Sequence, residues 1–222
     1  MVDRYAINYS TPCTVVDLDG TYIKGNTLKI YLQCGLRYLL DRLKILQAVK
    51  LIYIVLLRRL RIISHHKMKL IILDTLHPYP EILTMFRKKA LKNVNPLVSA
   101  LIERNKKAGH TIIFATAAPE FYVKAILPDD NIVASLYFPF DELFEYRGIR
   151  KFDELNAWLN CHNGILDTVI TDHYDDAPLF DANKYGTNVL VNPSAKTLRF
   201  FRKLQPTHFL LIEEIDNLGV TR

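Results

Sequence analysis

β-Branched and apolar residues fill positions 13–16, between Pro12 and the turn-prone Asp19-Gly20, and this predicts a short buried strand. From about residue 26 to about residue 92 the pattern changes to Leu, Ile, Lys and Arg at helical spacing, with breaks near Ser64 and at Pro78 and Pro80. That block reads as several helices without a strand. From Asn95 the two patterns alternate. Pro96 opens a helix that Gly109 ends, residues 111–115 read as a second buried strand, Pro119 begins a helix to about Leu127, and residues 132–137 read as a strand. A helix over 151–160, strands at 168–171, 188–191 and 209–212, and a helix over 194–203 complete the series.

Alternation of this kind requires crossover connections, and so predicts an α/β fold: a Rossmann-like parallel sheet with helices on both faces. The uninterrupted helical stretch then becomes an insertion after the first strand. Residues 1–21 and 95–222 are expected to form the core domain, and residues 22–94 an all-helical cap over it. In such sheets ligands sit at the carboxyl ends of the strands, so the polar residues there carry the functional signal.

Charge and hydropathy sharpen the picture of the cap. The 222 residues are half apolar, enough for one core and an accessory lobe, and carry a net charge of +6. Residues 36–70 hold nine bases against one acid, so this segment stands at +8 and the rest of the chain at −2. Its most hydrophobic part, 43–63, is broken by Lys44, Gln47, Lys50, Arg58, Arg59 and Arg61, too often for a membrane-spanning helix. Two readings remain. In the preferred one the helices pack their apolar faces inward and leave the charges solvated; in the other, the segment makes peripheral contact with an anionic membrane surface. The basic segment lacks aromatic interleaving and any nucleic-acid-binding motif, so no nucleic-acid partner is expected. Cys13, Cys34 and Cys161 suit neither a disulfide framework nor a metal cluster, and the first residues show no secretory leader. A cytoplasmic protein, peripheral at the inner membrane surface in the second reading, is the expectation.

Four motifs stand at predicted strand ends or helix starts. They are Val16-Asp17-Leu18-Asp19-Gly20-Thr21, then Thr116-Ala117-Ala118-Pro119, then Lys151, then Thr171-Asp172-His173-Tyr174-Asp175-Asp176. Each alone has an ordinary explanation: a turn, a helix cap, a solvated lysine, an acidic loop. In this order they resemble the haloacid dehalogenase superfamily, and the helical insertion resembles its phosphoserine-phosphatase-like branch. A weaker likeness is to the phosphatase-like domains fused to polyprenyl transferases. The resemblance implies a phosphatase acting on phosphoric monoesters.

The chemistry of the residues agrees with it. A carboxylate can attack a dianionic phosphate monoester only if a cation offsets the repulsion, and Mg2+ takes oxygen ligands of the kind offered by Asp17, Asp172, the backbone carbonyl of Asp19, and Asp176. Asp17 is then the nucleophile that forms an aspartyl-phosphate, and Asp19 the acid and base. Thr116, with the backbone N–H groups of Ala117 and Ala118, would hold phosphate oxygens, and Lys151 would add fixed positive charge. Arg150 is an alternative cation and Asp175 an alternative second acid. His173 and Tyr174 stand where the family has small residues; they narrow the site or contact substrate, or His173 is structural. In phosphoserine phosphatases a cap glutamate nine residues after the nucleophile binds the amine, whereas this chain has Asn26, which argues against phosphoserine. Asn26, Tyr22 and Lys24 are substrate contacts or a helix cap and hinge. The substrate expected is a phosphorylated small molecule or a lipid-linked phosphate. The competing reading is a catalytically silent binding or regulatory module at an anionic membrane surface; it would require loss of a catalytic acid, and Asp17, Asp19 and Asp172 are all present.

Overall fold

The computed structural model describes residues 10–204 and 209–213. The leader reading falls on residues 1–9 and lies outside them. The chain runs β1 (Thr11–Val16), α1 (Thr27–Asp41), α2 (Ile45–Arg59), α3 (His65–Leu76), α4 (Glu81–Leu91), α5 (Pro96–Lys107), β2 (Thr111–Pro119) and α6 (Glu120–Ile126). It continues through β3 (Asn131–Tyr137), β4 (Leu143–Phe144), α7 (Ile149–Cys161), β5 (Gly164–Thr171), α8 (Ala177–Ala182), β6 (Thr187–Val191), α9 (Ala195–Leu204) and β7 (Phe209–Ile212). The sheet order is β4-β3-β2-β1-β5-β6-β7, parallel except for the β3–β4 pair.

The α/β expectation therefore holds, with three corrections. The two-residue antiparallel β4 and the short α8 escaped the pattern because neither is long enough to show a period. The third correction is a helix break at residues 42–44, where no Pro or Gly announces it. Leu43 takes φ 56° and closes α1 with paired bonds, Lys44 N–H to the Leu39 carbonyl at 2.8 Å and Leu43 N–H to the Leu40 carbonyl at 3.0 Å. This is the turn that glycine usually makes after a helix. Arg61, at φ 61°, closes α2 in the same way.

Each central strand is apolar on both sides because helices cover both faces. Val16, Phe114, Ile170 and Val189 join one cluster with Val98, Tyr122 and the helical-block residues Leu28, Tyr31, Leu73 and Phe86. Val15, Ile113, Ala115, Val169 and Leu190 join the other with Leu155, Phe180 and Phe201. Cys13 and Cys34 are buried and Cys161 is exposed, all unbridged.

The helical block enters and leaves through a paired neck. Ile23 bridges Val94, Lys24 N–H donates to the Asn93 carbonyl, and Asn95 N–H donates to the Tyr22 carbonyl. Its inward packing is uneven. α2 buries Ala48, Leu51 and Ile54, yet Leu46, Val49, Ile52, Tyr53 and Leu56 are exposed. The preferred reading, with every apolar face turned inward, is thus corrected for α2. Among the described residues, no helix is long and apolar enough to cross a membrane.

Candidate active site

β1 ends at Val16, and Asp17 emerges at the carboxyl edge of the sheet, its N–H bonded to the Ile170 carbonyl of neighbouring β5 at 2.9 Å. The chain then turns rather than continuing extended: Tyr22 N–H reaches back to the Asp17 carbonyl and Ile23 N–H to the Leu18 carbonyl. It is this turn, rather than the side-to-side alternation of an extended strand, that brings Asp19 to the same cleft as Asp17, of about 240 Å³. Gly20 makes the turn possible at φ 81°. A methyl group on Gly20 would overlap the Asp172 carboxylate, so the nucleophile loop and the loop after β5 are packed directly together.

Lys151, on the first turn of α7, is 3% exposed and donates to Asp17 Oδ1 at 2.7 Å and to Asp176 Oδ2 at 2.9 Å. Burying an ammonium is costly unless it is paired, and here two carboxylates pair it. Burial opposes its charge, but the contacts with Asp17 and Asp176 carry its pKa above the ordinary lysine value. Asp176 also accepts from the Thr171 hydroxyl at 2.6 Å. Asp175 instead pairs with Arg147. Of the two adjacent acids, Asp176 is the one that faces the lysine. Arg150 is exposed in a different groove with Glu142 and Glu154.

The carboxyl groups crowd one another. Burial, reinforced by Asp176 and Asp172 and opposed by Lys151, pushes Asp17 up to about 8. Burial and Asp176 push Asp172 up to about 7. Burial also raises Asp19, against the short bond it accepts from Thr27 N–H at 2.6 Å. Asp17, Asp172 and Asp176, when ionised, outnumber Lys151 by two charges, which is the deficit a divalent cation makes good. Among the described residues no three His, Cys, Asp or Glu side chains close on a single point. Mg2+ does not need three. One or two carboxylates, a backbone carbonyl and waters suit it, and the packing of Asp172 against the Gly20 turn supplies that kind of donor set. The residues fit the ion.

Thr116, Ala117 and Asn26 also line the cleft. The Thr116 hydroxyl is used locally, accepting from Ala118 N–H at 3.1 Å, and α6 starts only at Glu120. The expectation of an unbonded Ala118 N–H at a helix start is therefore corrected. Asn26 caps α1, its side chain accepting from Lys29 N–H at 3.0 Å, while its position at the cleft keeps it within reach of a ligand. Tyr22 packs edge-on against Phe114 and Lys24 belongs to the neck; neither lines the cleft. His173 does line it, half-buried, its Nδ1 accepting from Asp175 N–H at 3.2 Å.

Lys69 was missed as a site residue. It is buried on α3 and donates to the Ala117 carbonyl at 2.6 Å and to Glu145 at 2.7 Å, tying the helical block to the strand end that carries Thr116. In sequence it is one of nine bases in a basic stretch, and nothing local distinguishes it.

A family model described as haloacid dehalogenase-like hydrolase matches residues 14–181. No curated protein matches the chain. Among solved structures, a protein of unknown function from Bordetella pertussis Tohama I is similar over 91% of this chain and 99% of its own, at 14% identity and a TM-score of 0.65. A phosphoserine phosphohydrolase-like protein from Francisella tularensis subsp. tularensis SCHU S4 is similar over 91% and 94%, at 16% identity and a TM-score of 0.57. A phosphoserine phosphatase described as a phospho-aspartyl intermediate analogue is similar over 93% and 95%, at 13% identity and a TM-score of 0.57. At these identities the likeness shows the fold.

Proposed function

The chain belongs to the haloacid dehalogenase-like hydrolases, and on that premise we propose that it is a Mg2+-dependent phosphatase working through an aspartyl-phosphate on Asp17. The observation that carries this is the buried Lys151 bridge between Asp17 and Asp176, two acids held at neighbouring strand ends of one cleft. The phosphoserine phosphatase seen as a phospho-aspartyl intermediate analogue adds support by likeness of fold.

Asp17, the Asp19 carbonyl, Asp172 and Asp176 would hold a divalent ion, which would supply the positive charge that keeps Asp17 ionised beside a phosphate dianion. Asp17 attacks phosphorus, the ester P–O bond breaks, and the departing oxygen takes a proton from Asp19. Burial already favours the protonated form of Asp19 that this step requires. Asp19, now a carboxylate, takes a proton from water as that water attacks phosphorus. The Asp17–phosphate bond breaks, inorganic phosphate leaves and both acids are restored. Thr116 and Ala117, which line the cleft, would contact the phosphoryl oxygens, and Lys151 neutralises the carboxylates beside them.

Residues 22–94 act in this reading as a cap hinged at the paired neck, with Lys69 as its tie to the core. Asn26 offers no charge for a substrate amine, so phosphoserine is a poor fit. The substrate is a phosphorylated small molecule or a lipid-linked phosphate. A panel of such esters, assayed with Mg2+ and with chelator, tests the reading; hydrolysis that survives full chelation would remove the metal from it.

Two expected outcomes follow from the site. Gly20→Ala puts a methyl group against Asp172 and strains φ, so the apparent Mg2+ requirement should rise by about tenfold, the effect of about 1.4 kcal/mol of lost binding. A Mg2+ titration of activity reads this, and an unchanged midpoint would show that the Gly20–Asp172 contact does not position the ligand.

The second is pH-dependent. Asp17 and Asp172 bind protons in the folded state up to about 8 and about 7, against 3.8 for the model acid. Between about pH 4 and about pH 8 the folded protein thus holds more protons than the unfolded chain, and stability falls as pH rises. Metal-free protein should melt several degrees lower at about pH 8 than at about pH 5, with Mg2+ restoring about 5 °C at the higher pH and less at the lower. Melting curves with chelator and with Mg2+ check it; a Mg2+ effect larger at the acid end would contradict the sign.

A further inference from the structure

Eleven of the twenty-three exposed large apolar side chains among the described residues fall within residues 40–62. Leu46 is 85% exposed and Leu43 82%. On α2 the exposure has a direction. At about 100° per residue, six of the seven exposed apolar residues of α2, Ile45, Leu46, Val49, Ile52, Tyr53 and Leu56, fall within an arc of about 120°; the buried Ala48, Leu51 and Ile54 lie opposite, with the less exposed Val55 on their side. The helix therefore has two apolar faces, and only the one that packs on α1 and α3 is covered. An apolar patch this concentrated is uncommon on a soluble surface and marks contact with something else.

The charges say with what. Lys50 and Arg59 fall on the two flanks of the exposed arc, Arg61 follows the helix end, and α2 contains no acid. Long basic side chains beside an apolar stripe can extend to a phosphate layer while the stripe enters the acyl boundary below it. A second copy of the chain is the poorer occupant: stacking two such faces would bring like charges together with no acid on either helix to answer them. Spanning is excluded by length, since fifteen residues of helix reach about 22 Å against a hydrocarbon core of about 30 Å. We infer that α2, with the turns at Leu43 and Arg61, is an interfacial anchor that lies flat on an anionic lipid bilayer. The two turns leave Leu43, Leu60 and Ile62 exposed as well, which extends the apolar surface beyond both ends of the helix.

This inference goes beyond the proposed chemistry and is measured without turnover. The test is flotation of the purified chain with phosphatidylcholine vesicles, with and without phosphatidylglycerol. Wild type should float with the anionic vesicles and at least tenfold less with the neutral ones, and added salt should weaken its binding. Leu46→Glu/Leu56→Glu and Lys50→Glu/Arg59→Glu should each lose at least tenfold in partitioning, with unchanged circular dichroism because all four side chains face solvent. Asp17→Asn should float like wild type, which keeps this result separate from the fate of the phosphatase reading. Wild type that stays unbound in phosphatidylglycerol vesicles overturns the anchor. So does an apolar variant that binds as well as wild type, or a stable dimer that Leu46→Glu/Leu56→Glu converts to monomer.

Discussion

Asp17→Asn is expected to lower kcat toward an aryl phosphate by on the order of 10⁴-fold or more while the protein stays folded. The amide is close to the carboxylate in shape, so the turn that follows β1, made by Tyr22 and Ile23 N–H groups on backbone carbonyls, is not disturbed. It cannot, however, form an acyl phosphate. The substitution also removes one of the acids crowding Asp172 and Asp176, and Asp17 is held protonated to about 8 without a cation. The metal-free variant should therefore melt no lower than metal-free wild type at about pH 8, because it loses a charge that the fold accommodates poorly. Kinetics and melting together decide the matter. Activity lost with an unchanged melt places Asp17 in the chemistry rather than in the fold, and turnover equal to wild type removes it from the nucleophile's role.

The fold was legible wherever period and punctuation agreed. Pro96 and Gly109 bracket α5, and Asn95 caps it through bonds from Leu97 and Val98 N–H groups, so one helix carried three independent signals. The break at Leu43 was not legible, because a leucine occupies a left-handed position usually held by glycine and only the tertiary fit of α1 and α2 fixes it. The site divides along the same line. Asp17, Lys151 and Asp176 were readable because strand ends and helix starts are marked in sequence, and the structure brings them within hydrogen-bond reach. The use of Ala118 N–H by Thr116 and the arrival of Lys69 at the Ala117 carbonyl depend on local geometry and on a contact 48 residues apart in sequence. The outward face of α2 was hidden for another reason. A helix with apolar residues on two sides gives the same composition whether one side or both are buried.

Lys151→Met tests whether the buried cation or the packing around it holds the site together. Methionine keeps the length and apolar stem of the lysine, so any loss reports on charge. Without the ammonium, Asp17 and Asp176 keep hydrogen bonds only from the neutral hydroxyls of Thr21 and Thr171 in this cluster. Removing one partner of a buried ion pair costs about 3–5 kcal/mol when the other remains charged. Here Asp17 can escape by taking up a proton, as it already does up to about 8. Lysine itself stays protonated throughout the acid and neutral range, since its pKa lies above the ordinary value. The pH dependence of the difference must then come from the carboxyl groups, and the variant should lose most stability at about pH 8 and least at about pH 5. Mg2+ should recover part of the loss at the higher pH, because it supplies positive charge to the same acids. Turnover should still fall by about 10²–10³-fold, because the metal cannot replace the fixed charge that the proposed mechanism places beside Asp17. Denaturant melts at both pH values and steady-state kinetics read these effects. A stability gap that is constant or widens toward acid would mean that Lys151 serves packing rather than the neutralisation of Asp17 and Asp176.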